Sequence, residues 1–160
     1  LKKYIKKFEN KFNIGISWKS FKNRYANEKS LSLFDLNNFF NIKECNFFNL
    51  QYGDVKKEVS DFTIKTGTNI ITNNEIDLFN DLDKLAAFLK NLDLFVTVSN
   101  STAHLAGALG TKTLLIKPSN HALFHYWNQP GDKTPWYSSI KLIDKRDLKN
   151  KKLVKSFIGY

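Results

Sequence analysis

The sequence has few residues that could form covalent or metal cross-links. Its 160 residues include one cysteine, Cys45, three histidines and no methionine. A single cysteine excludes an intramolecular disulfide framework and is typical of a reducing compartment. His121 and His125 lie four residues apart, but the glutamate of a zinc-protease motif is missing. We therefore expect neither a metal site nor a bound cofactor.

Long apolar runs are missing as well. No stretch approaches the roughly 20 apolar residues of a membrane span, and the N-terminus lacks the apolar middle of a signal peptide. We therefore expect no transmembrane segment and a cytoplasmic location, with the inner membrane surface as an alternative. Position 1 is not Met, and residues 1–12 (LKKYIKKFENKF) resemble a charged lead-in helix. We expect a piece of a longer protein, with residues 1–160 forming one domain.

Positive charge is in excess. The formal net charge is +10, from 25 Lys and Arg against 15 Asp and Glu. This excess raises the hypothesis of nucleic-acid binding. The lysines are spread along the chain, however, and aromatic residues do not interleave with them as they do in nucleic-acid recognition modules. We therefore expect solvated helix faces and no nucleic-acid partner; steeply salt-dependent binding to DNA or RNA would contradict this.

Short apolar runs alternate with helical patterns. Leucines at helical spacing predict an amphipathic helix over 82–92, capped by Asp81 or Asp83, and weaker patterns predict helices over 34–40 and from 147 onward. This alternation predicts βαβ units in an open, mainly parallel, Rossmann-like sheet with helices on both faces. The six predicted strands are 13–18, 47–51, 69–72, 94–98, 113–117 and 140–143.

Polar segments follow four of the predicted strands. Ligands of open parallel sheets bind beyond the carboxyl ends of the strands. We therefore expect these four segments to lie at one edge of the sheet. They are residues 18–20, 51–54, 99–102 and 117–119.

The segment VTVSNSTAHLAGALG, residues 96–110, predicts a strand that leads directly into a helix. With Ser101 as N-cap, the free amides and the hydroxyls of Ser101 and Thr102 converge beyond the strand, where a helix N-terminus favours an anion. The same dipole disfavours imidazolium, so His104 is expected to be neutral. The alternative is that the polar residues only cap the helix and that His104 packs against a backbone carbonyl. Gly107 suggests close packing of this helix, and Gly110 its end.

Each of the other polar residues near the strand ends could have a ligand-binding role or a structural role. Lys19 and Lys117 could each bind a phosphate or face solvent. Pro118 follows Lys117, so a turn explains the polar break after that strand equally well. Asp54 is expected to cap the helix after Gly53. Glu58, one turn on, could support that helix end or accept ribose hydroxyls.

The order of these segments resembles the C-terminal domain of GT-B glycosyltransferases. The likeness is to the heptosyltransferase-like family and to related domains that follow tetratricopeptide repeats. It spans most of the chain, and the third of its segments is the most specific. The segments are IGISWKS (14–20), FFNLQYGD (47–54), LDLFVTVSNSTAHLAGALG (92–110) and TPWYSSIKLI (134–143).

This resemblance implies a nucleotide-sugar donor held mainly by this half of the enzyme, without metal. Many family members have Asp where this chain has Ser99, which affects the usual contact to the donor sugar. The implied nucleoside site is the turn Gln51, Tyr52, Gly53 and Asp54. Lys117 and Glu58 remain possible site residues on their positions alone. The implied donor and phosphate set is Lys19, Ser99, Asn100, Ser101, Thr102 and His104.

The implied activity is transfer of a hexosyl or heptosyl group to an unknown glycan, lipid or protein acceptor. The departing nucleoside diphosphate would be stabilised by helix-end amides, a lysine and His104. The base that deprotonates the acceptor would come from a missing N-terminal half-domain, so this chain alone is expected to bind donor without turnover. The alternative is a non-catalytic module of the same fold that binds a protein or glycan partner, a reading motivated by Ser99.

Overall fold

A computed structural model describes residues 8, 10–21, 26–118 and 126–158. All six predicted strands are present. The predicted lead-in helix falls largely outside the described residues, as do Ser119, His121 and His125. The strands are β1 (Phe12–Ser17), β2 (Cys45–Asn49), β3 (Ile70–Ile71), β4 (Leu94–Val98), β5 (Thr113–Ile116) and β6 (Ile140–Ile143).

The helices occupy the segments between the strands and the end of the chain. Asp81 is the cap of the amphipathic helix, because its carboxylate accepts the amide of Lys84 at 3.0 Å. Gly67, with φ of 70°, ends the longest helix in the left-handed conformation. The helices are α1 (Ala26–Lys29), α2 (Asn37–Phe40), α3 (Lys56–Thr66), α4 (Leu82–Leu89), α5 (Ser101–Ala108) and α6 (Lys151–Ser156), with 3₁₀ turns at Leu33–Leu36 and Lys145–Lys149.

The six strands form one parallel sheet in the order β3-β2-β1-β4-β5-β6. The chain moves outward from β1 through β2 to β3, then returns to the other side of β1 and moves outward again from β4. The carboxyl ends of β1 and β4 therefore diverge at a topological switch point, the place where ligands bind in doubly wound folds. The predicted Rossmann-like architecture is confirmed.

Alternate residues of the buried strands pack on opposite faces of the sheet. In β4, Leu94 and Val96 contact a core that includes residues from α2, α3 and α6. Phe95, between them, contacts the core formed with α4 and α5. Helices therefore cover both faces. Only the ends of the strands and the loops beyond them remain to bind a ligand.

Candidate functional site

Asn100, the residue before α5, shapes the start of that helix. Its backbone is extended, and its side-chain oxygen accepts the amide of Ala103 at 3.0 Å. The prediction of Ser101 as the cap was wrong by one residue, because Asn100 still continues the extended backbone of β4 and Ser101 is already helical. Within the described part of the chain, the amides of Ser101 and Thr102 donate to no protein acceptor. The helix therefore begins with two available donors.

A cavity of about 310 Å³ lies between this helix start and the end of β1. We call it the switch-point cavity. Among its described lining residues Lys29 is the one cation, and no carboxylate is present. Lys29 is 6% exposed, at the end of α1. The lining consists of Ser20, Lys29, Tyr52, Ser99, Asn100, Ser101, His104 and Tyr126.

His104 lies in an aromatic enclosure at the cavity wall. Its Nδ1 is 3.0 Å from the hydroxyl of Tyr137, and the ring of Tyr126 meets it edge-on at 4.8 Å. Burial lowers the pKa of His104 below its ordinary value of 6.5. The expected neutral state is thus supported, although the cause is loss of water rather than the helix dipole. The partner of Nδ1 is a phenol and not the backbone carbonyl of the alternative reading.

Gly107 allows this enclosure to close on α5. A Cβ at this position would lie 2.5 Å from the Tyr137 ring and 2.9 Å from Ile140. The close approach predicted from Gly107 is therefore real, and it brings Tyr137 within reach of His104, one turn earlier on the helix. Gly110, with φ of 70°, follows the end of α5 as expected.

Ser99 is held by a buried tryptophan. Trp127 is fully buried, and its indole Nε1 donates to the Ser99 hydroxyl at 3.0 Å. Ser99 is 4% exposed and forms part of the cavity lining. Because the Ser99 oxygen accepts from the indole, the hydroxyl proton points away from Trp127. Position 99 therefore offers a hydrogen-bond donor, whereas an aspartate would offer only acceptors.

Gln51 is nearly inaccessible, at 1% exposure. Its Oε1 accepts from the Ser17 hydroxyl at 3.1 Å and from the amides of Trp18 and Lys19 at 2.8 and 2.7 Å. Asn100 reaches the same place from β4, since its Nδ2 donates to the Ser17 hydroxyl at 2.9 Å. The ends of β1, β2 and β4 are therefore joined by side-chain amides.

A second cavity, of about 490 Å³, lies beyond β2 and β3. We call it the loop cavity. The predicted nucleoside residues Gln51, Tyr52, Gly53 and Asp54 all belong to its lining, with Val55, Lys56, Thr72 and Phe79 among the others. Tyr52 lines both cavities. Its ring lies 5.5 Å from that of Phe21 and 5.9 Å from that of Phe79, centroid to centroid.

Asp54 acts at the start of α3 much as predicted. Its carboxylate accepts the amide of Lys56 at 3.2 Å, although Val55 occupies the N-cap position itself. Asp54 thus has a structural partner and also borders the loop cavity.

The remaining predicted site residues lie outside the lining of the switch-point cavity. Lys19 forms an ion pair with Glu58, and the indole of Trp18 donates to Glu58 at 3.0 Å. Lys117 pairs with Asp144 at 3.5 Å, beside β6. Thr102 is buried, at 3% exposure. Lys19 is thus neutralised by a carboxylate, and Lys29 is the lysine that lines the cavity.

Sequence reasoning missed Lys29, Tyr126 and Phe79, and it included Ser20 only as part of the polar segment 18–20. Lys29 is one lysine in a polar, lysine-rich sequence with no strand end beside it, so no spacing pattern distinguishes it. Backbone hydrogen bonds place its helix: the amide of Leu31 donates to the Trp18 carbonyl at 2.8 Å. This contact folds the segment after α1 back onto the end of β1.

The described residues contain no group of three His, Cys, Asp or Glu side chains that could hold a metal ion. Their helices include none that is long and apolar enough to cross a membrane.

No protein-family model matches the chain. One curated relative is Protein FlbA of Caulobacter vibrioides, which is 33% identical over 130 residues. The matched region is 80% of this chain but only 21% of FlbA, so this chain corresponds to about a fifth of that protein's length.

Solved structures share the fold. A glycosyl transferase family 9 protein of Veillonella parvula superposes with a TM-score of 0.67 at 11% identity, over 98% of this chain and 48% of that protein. The E. coli heptosyltransferase WaaC with ADP-2-deoxy-2-fluoro heptose gives 0.58 at 12% identity, over 94% and 43%. The chain therefore has a glycosyltransferase-like fold, and it spans less than half of these structures.

Proposed function

We propose that this chain is the donor-binding half of a glycosyltransferase that uses a nucleoside-diphosphate sugar. The observation that carries the proposal is the switch-point cavity: the start of α5, a buried lysine and a histidine meet there, and the loop cavity adjoins it through Tyr52. The fold shared with glycosyltransferases supports the same reading. The comparisons do not favour the alternative of a non-catalytic binding module.

In this proposal the diphosphate occupies the switch-point cavity. The amide of Ser101, which lines the cavity, donates to a phosphate oxygen, and the helix dipole adds a favourable potential. Lys29 supplies the positive charge, in place of the predicted Lys19. Lys29 is a buried ammonium in the cavity lining, and water screens its attraction to a bound anion poorly there.

His104 is assigned to the departing phosphate. If Nδ1 accepts from the Tyr137 hydroxyl, the neutral ring carries its proton on Nε2 as a donor. Two phosphates nearby would raise the pKa of the ring from its lowered value, so donation would strengthen as negative charge develops on the leaving group. The chemical step is displacement at the anomeric carbon, with the carbon–oxygen bond to the diphosphate breaking as the acceptor oxygen attacks.

The nucleoside is assigned to the loop cavity. Tyr52 and Phe79 provide aromatic surface against which a base could stack, and Phe79 is 68% exposed. Gln51, Asn100 and Glu58, predicted to contact the donor, are engaged by the protein itself. The proposed contacts in the loop cavity therefore come from Tyr52, Phe79 and the backbone near Gly53.

The rest of the reaction lies beyond this chain in our proposal. A second half-domain or helical repeats would supply the acceptor site and the base, so that this chain alone binds donor without turnover. Metal independence, the acceptor class, the sugar and a cytoplasmic location stay predictions. Ser99 is the residue we expect to face the sugar end of the donor, because it closes the cavity against Trp127.

The test is nucleotide binding by the purified chain. We would measure thermal unfolding with ADP, UDP, GDP and CDP, and titrate each nucleotide that raises the midpoint by calorimetry. A nucleotide at 100 times its Kd should stabilise the fold by about 2.7 kcal/mol. The matched control is adenosine or uridine, which lacks the phosphates and should bind far more weakly.

The proposal predicts that inorganic pyrophosphate competes with the nucleotide. If no nucleoside diphosphate shifts the midpoint at millimolar concentration, the donor site is wrong. If nucleosides bind as well as their diphosphates do, the assignment of the phosphates to the start of α5 is wrong.

A further inference from the structure

We propose that Gln51 is a positioning residue that sets the geometry of both cavities, and that it does not itself contact the donor. This inference rests on the proposed donor site. It reassigns a residue that sequence reasoning placed against the nucleoside.

The acceptor atom of Gln51 is saturated by the protein. Three donors, the Ser17 hydroxyl and the amides of Trp18 and Lys19, converge on Oε1 within 3.1 Å. These amides follow the last residue of β1, where no neighbouring strand satisfies them. Gln51 therefore fixes the path by which the chain leaves β1.

A relay of hydrogen bonds extends from Gln51 to the start of α5. Asn100 donates to the Ser17 hydroxyl, and Ser17 donates to Gln51. The other side-chain atom of Asn100 accepts the amide of Ala103, in the first turn of α5. A change at Gln51 is therefore transmitted to the residue that holds the available amides of Ser101 and Thr102.

The side-chain nitrogen of Gln51 acts on the loop cavity. Its Nε2 donates to the carbonyl of Tyr52 at 2.9 Å. Tyr52 is the residue that lines both cavities, so one amide group fixes both the path of the chain beyond β1 and the backbone of the wall that the cavities share. A residue that reads the base would influence only the nucleoside. A residue in this position should influence the binding of phosphates as well.

The test is the near-isosteric variant Gln51→Glu, with ADP, UDP and inorganic pyrophosphate as ligands. A carboxylate still accepts the three donors, but it places a second acceptor against the Tyr52 carbonyl. A protonated carboxyl group restores the missing donor, and burial raises the pKa of such a group. We expect Kd to rise about tenfold at pH 8 for all three ligands, relative to the wild-type chain at the same pH. The ratio of the variant Kd to the wild-type Kd should return toward one as the pH falls from 7 to 5.

The second variant is Ser17→Ala, which cuts the relay at a fully buried residue outside both cavity linings. We expect Kd to rise about threefold for the same three ligands. Lys57→Ala is the matched control, since this exposed lysine pairs with Asp61 and lies outside both cavity linings.

The outcomes separate the two levels of the proposal. Loss of nucleotide affinity without loss of pyrophosphate affinity would make Gln51 a nucleoside ligand and overturn the inference. Unchanged binding in Ser17→Ala, or a Gln51→Glu defect that acidification does not relieve, would also overturn it. If the wild-type chain binds none of the three ligands, the donor site itself is wrong and the inference fails with it.

Discussion

The two cavities at the carboxyl edge of the sheet are built differently. Two residues that line the switch-point cavity are held by side chains from distant parts of the chain, Asn100 by Ser17 and Ser99 by Trp127. The loop cavity is bounded by turns after β2 and β3, whose polar groups bond mostly within two or three residues, as Asp77 does with Phe79 and Asn80.

This difference suggests a division of labour. Long-range hydrogen bonds hold the switch-point cavity in one shape, so it suits the part of a donor that never varies, the diphosphate. Apart from the wall that Gln51 fixes, the loop cavity is formed by local turns and an exposed aromatic side chain, which are free to vary, so it suits the base.

Lys29→Met should have the largest effect. It keeps the buried stem and removes the charge, so we expect nucleoside-diphosphate affinity to fall about 30-fold, the value of one charge-assisted hydrogen bond of about 2 kcal/mol. Lys19→Met is the matched control and should change Kd less than about threefold, because Lys19 is paired with Glu58. Calorimetric titration measures both. Equal losses in the two variants would show that the cation was assigned to the wrong lysine.

Trp127→Phe tests the rigid cavity without touching the proposed ligand. Removing the indole donor leaves the buried Ser99 hydroxyl without its partner, so we expect the free energy of unfolding to fall by about 1.5 kcal/mol. Urea denaturation measures the change. An unaltered midpoint would mean that the bond to Ser99 does not stabilise the cavity wall.

Phe79→Ala is the corresponding change in the loop cavity. Because Phe79 is exposed, the free energy of unfolding should change by less than about 0.5 kcal/mol. Nucleotide affinity should fall about fivefold, because a stacked aromatic–base contact contributes roughly 1–3 kcal/mol to binding. Pyrophosphate affinity should not change. A parallel loss for pyrophosphate would place Phe79 near the phosphates instead.

The smallest effect concerns His104 and pH. Its pKa is lowered in the folded chain, so below about pH 6.5 the unfolded state binds more protons and the fold loses stability as pH falls. On going from pH 7.5 to 5.5, the thermal midpoint of the wild-type chain should fall further than that of His104→Asn. The difference between the two falls should be less than about 2 °C. Saturating nucleoside diphosphate should reduce this drop, because phosphate favours the imidazolium. A wild-type slope no steeper than that of the variant would contradict the burial of a neutral ring.

Much of the fold was readable from local sequence. The bounds of β4 and β6 match the predicted runs, because buried parallel strands are continuous apolar segments that stop at polar residues. The start of β2 was placed two residues late, at Phe47. Cys45 joins the strand because it pairs in register with Phe12 of β1, a contact that no property of the segment itself reveals.

The candidate site was readable only in part. The polar residues after β4 were singled out because small hydroxyl and amide side chains at a strand–helix junction serve as caps or as ligands. The sequence did not reveal the role of each site residue. Asn100 rather than Ser101 is the cap of α5, and Gln51 and Glu58 bond to other parts of the protein. The partners of Gln51 and Glu58 at the end of β1 lie 32 to 40 positions away in the chain.

The sequence by itself determined the alternation of strands and helices, the parallel sheet and the polar edge at its carboxyl ends, because burial and helix capping act over a few neighbouring residues. Only the tertiary structure decided which lysine lines the cavity, what Gln51 bonds and how Trp127 meets Ser99. The reason is that a hydrogen bond between distant segments depends on the direction in which each strand ends, which is set by packing across the whole sheet.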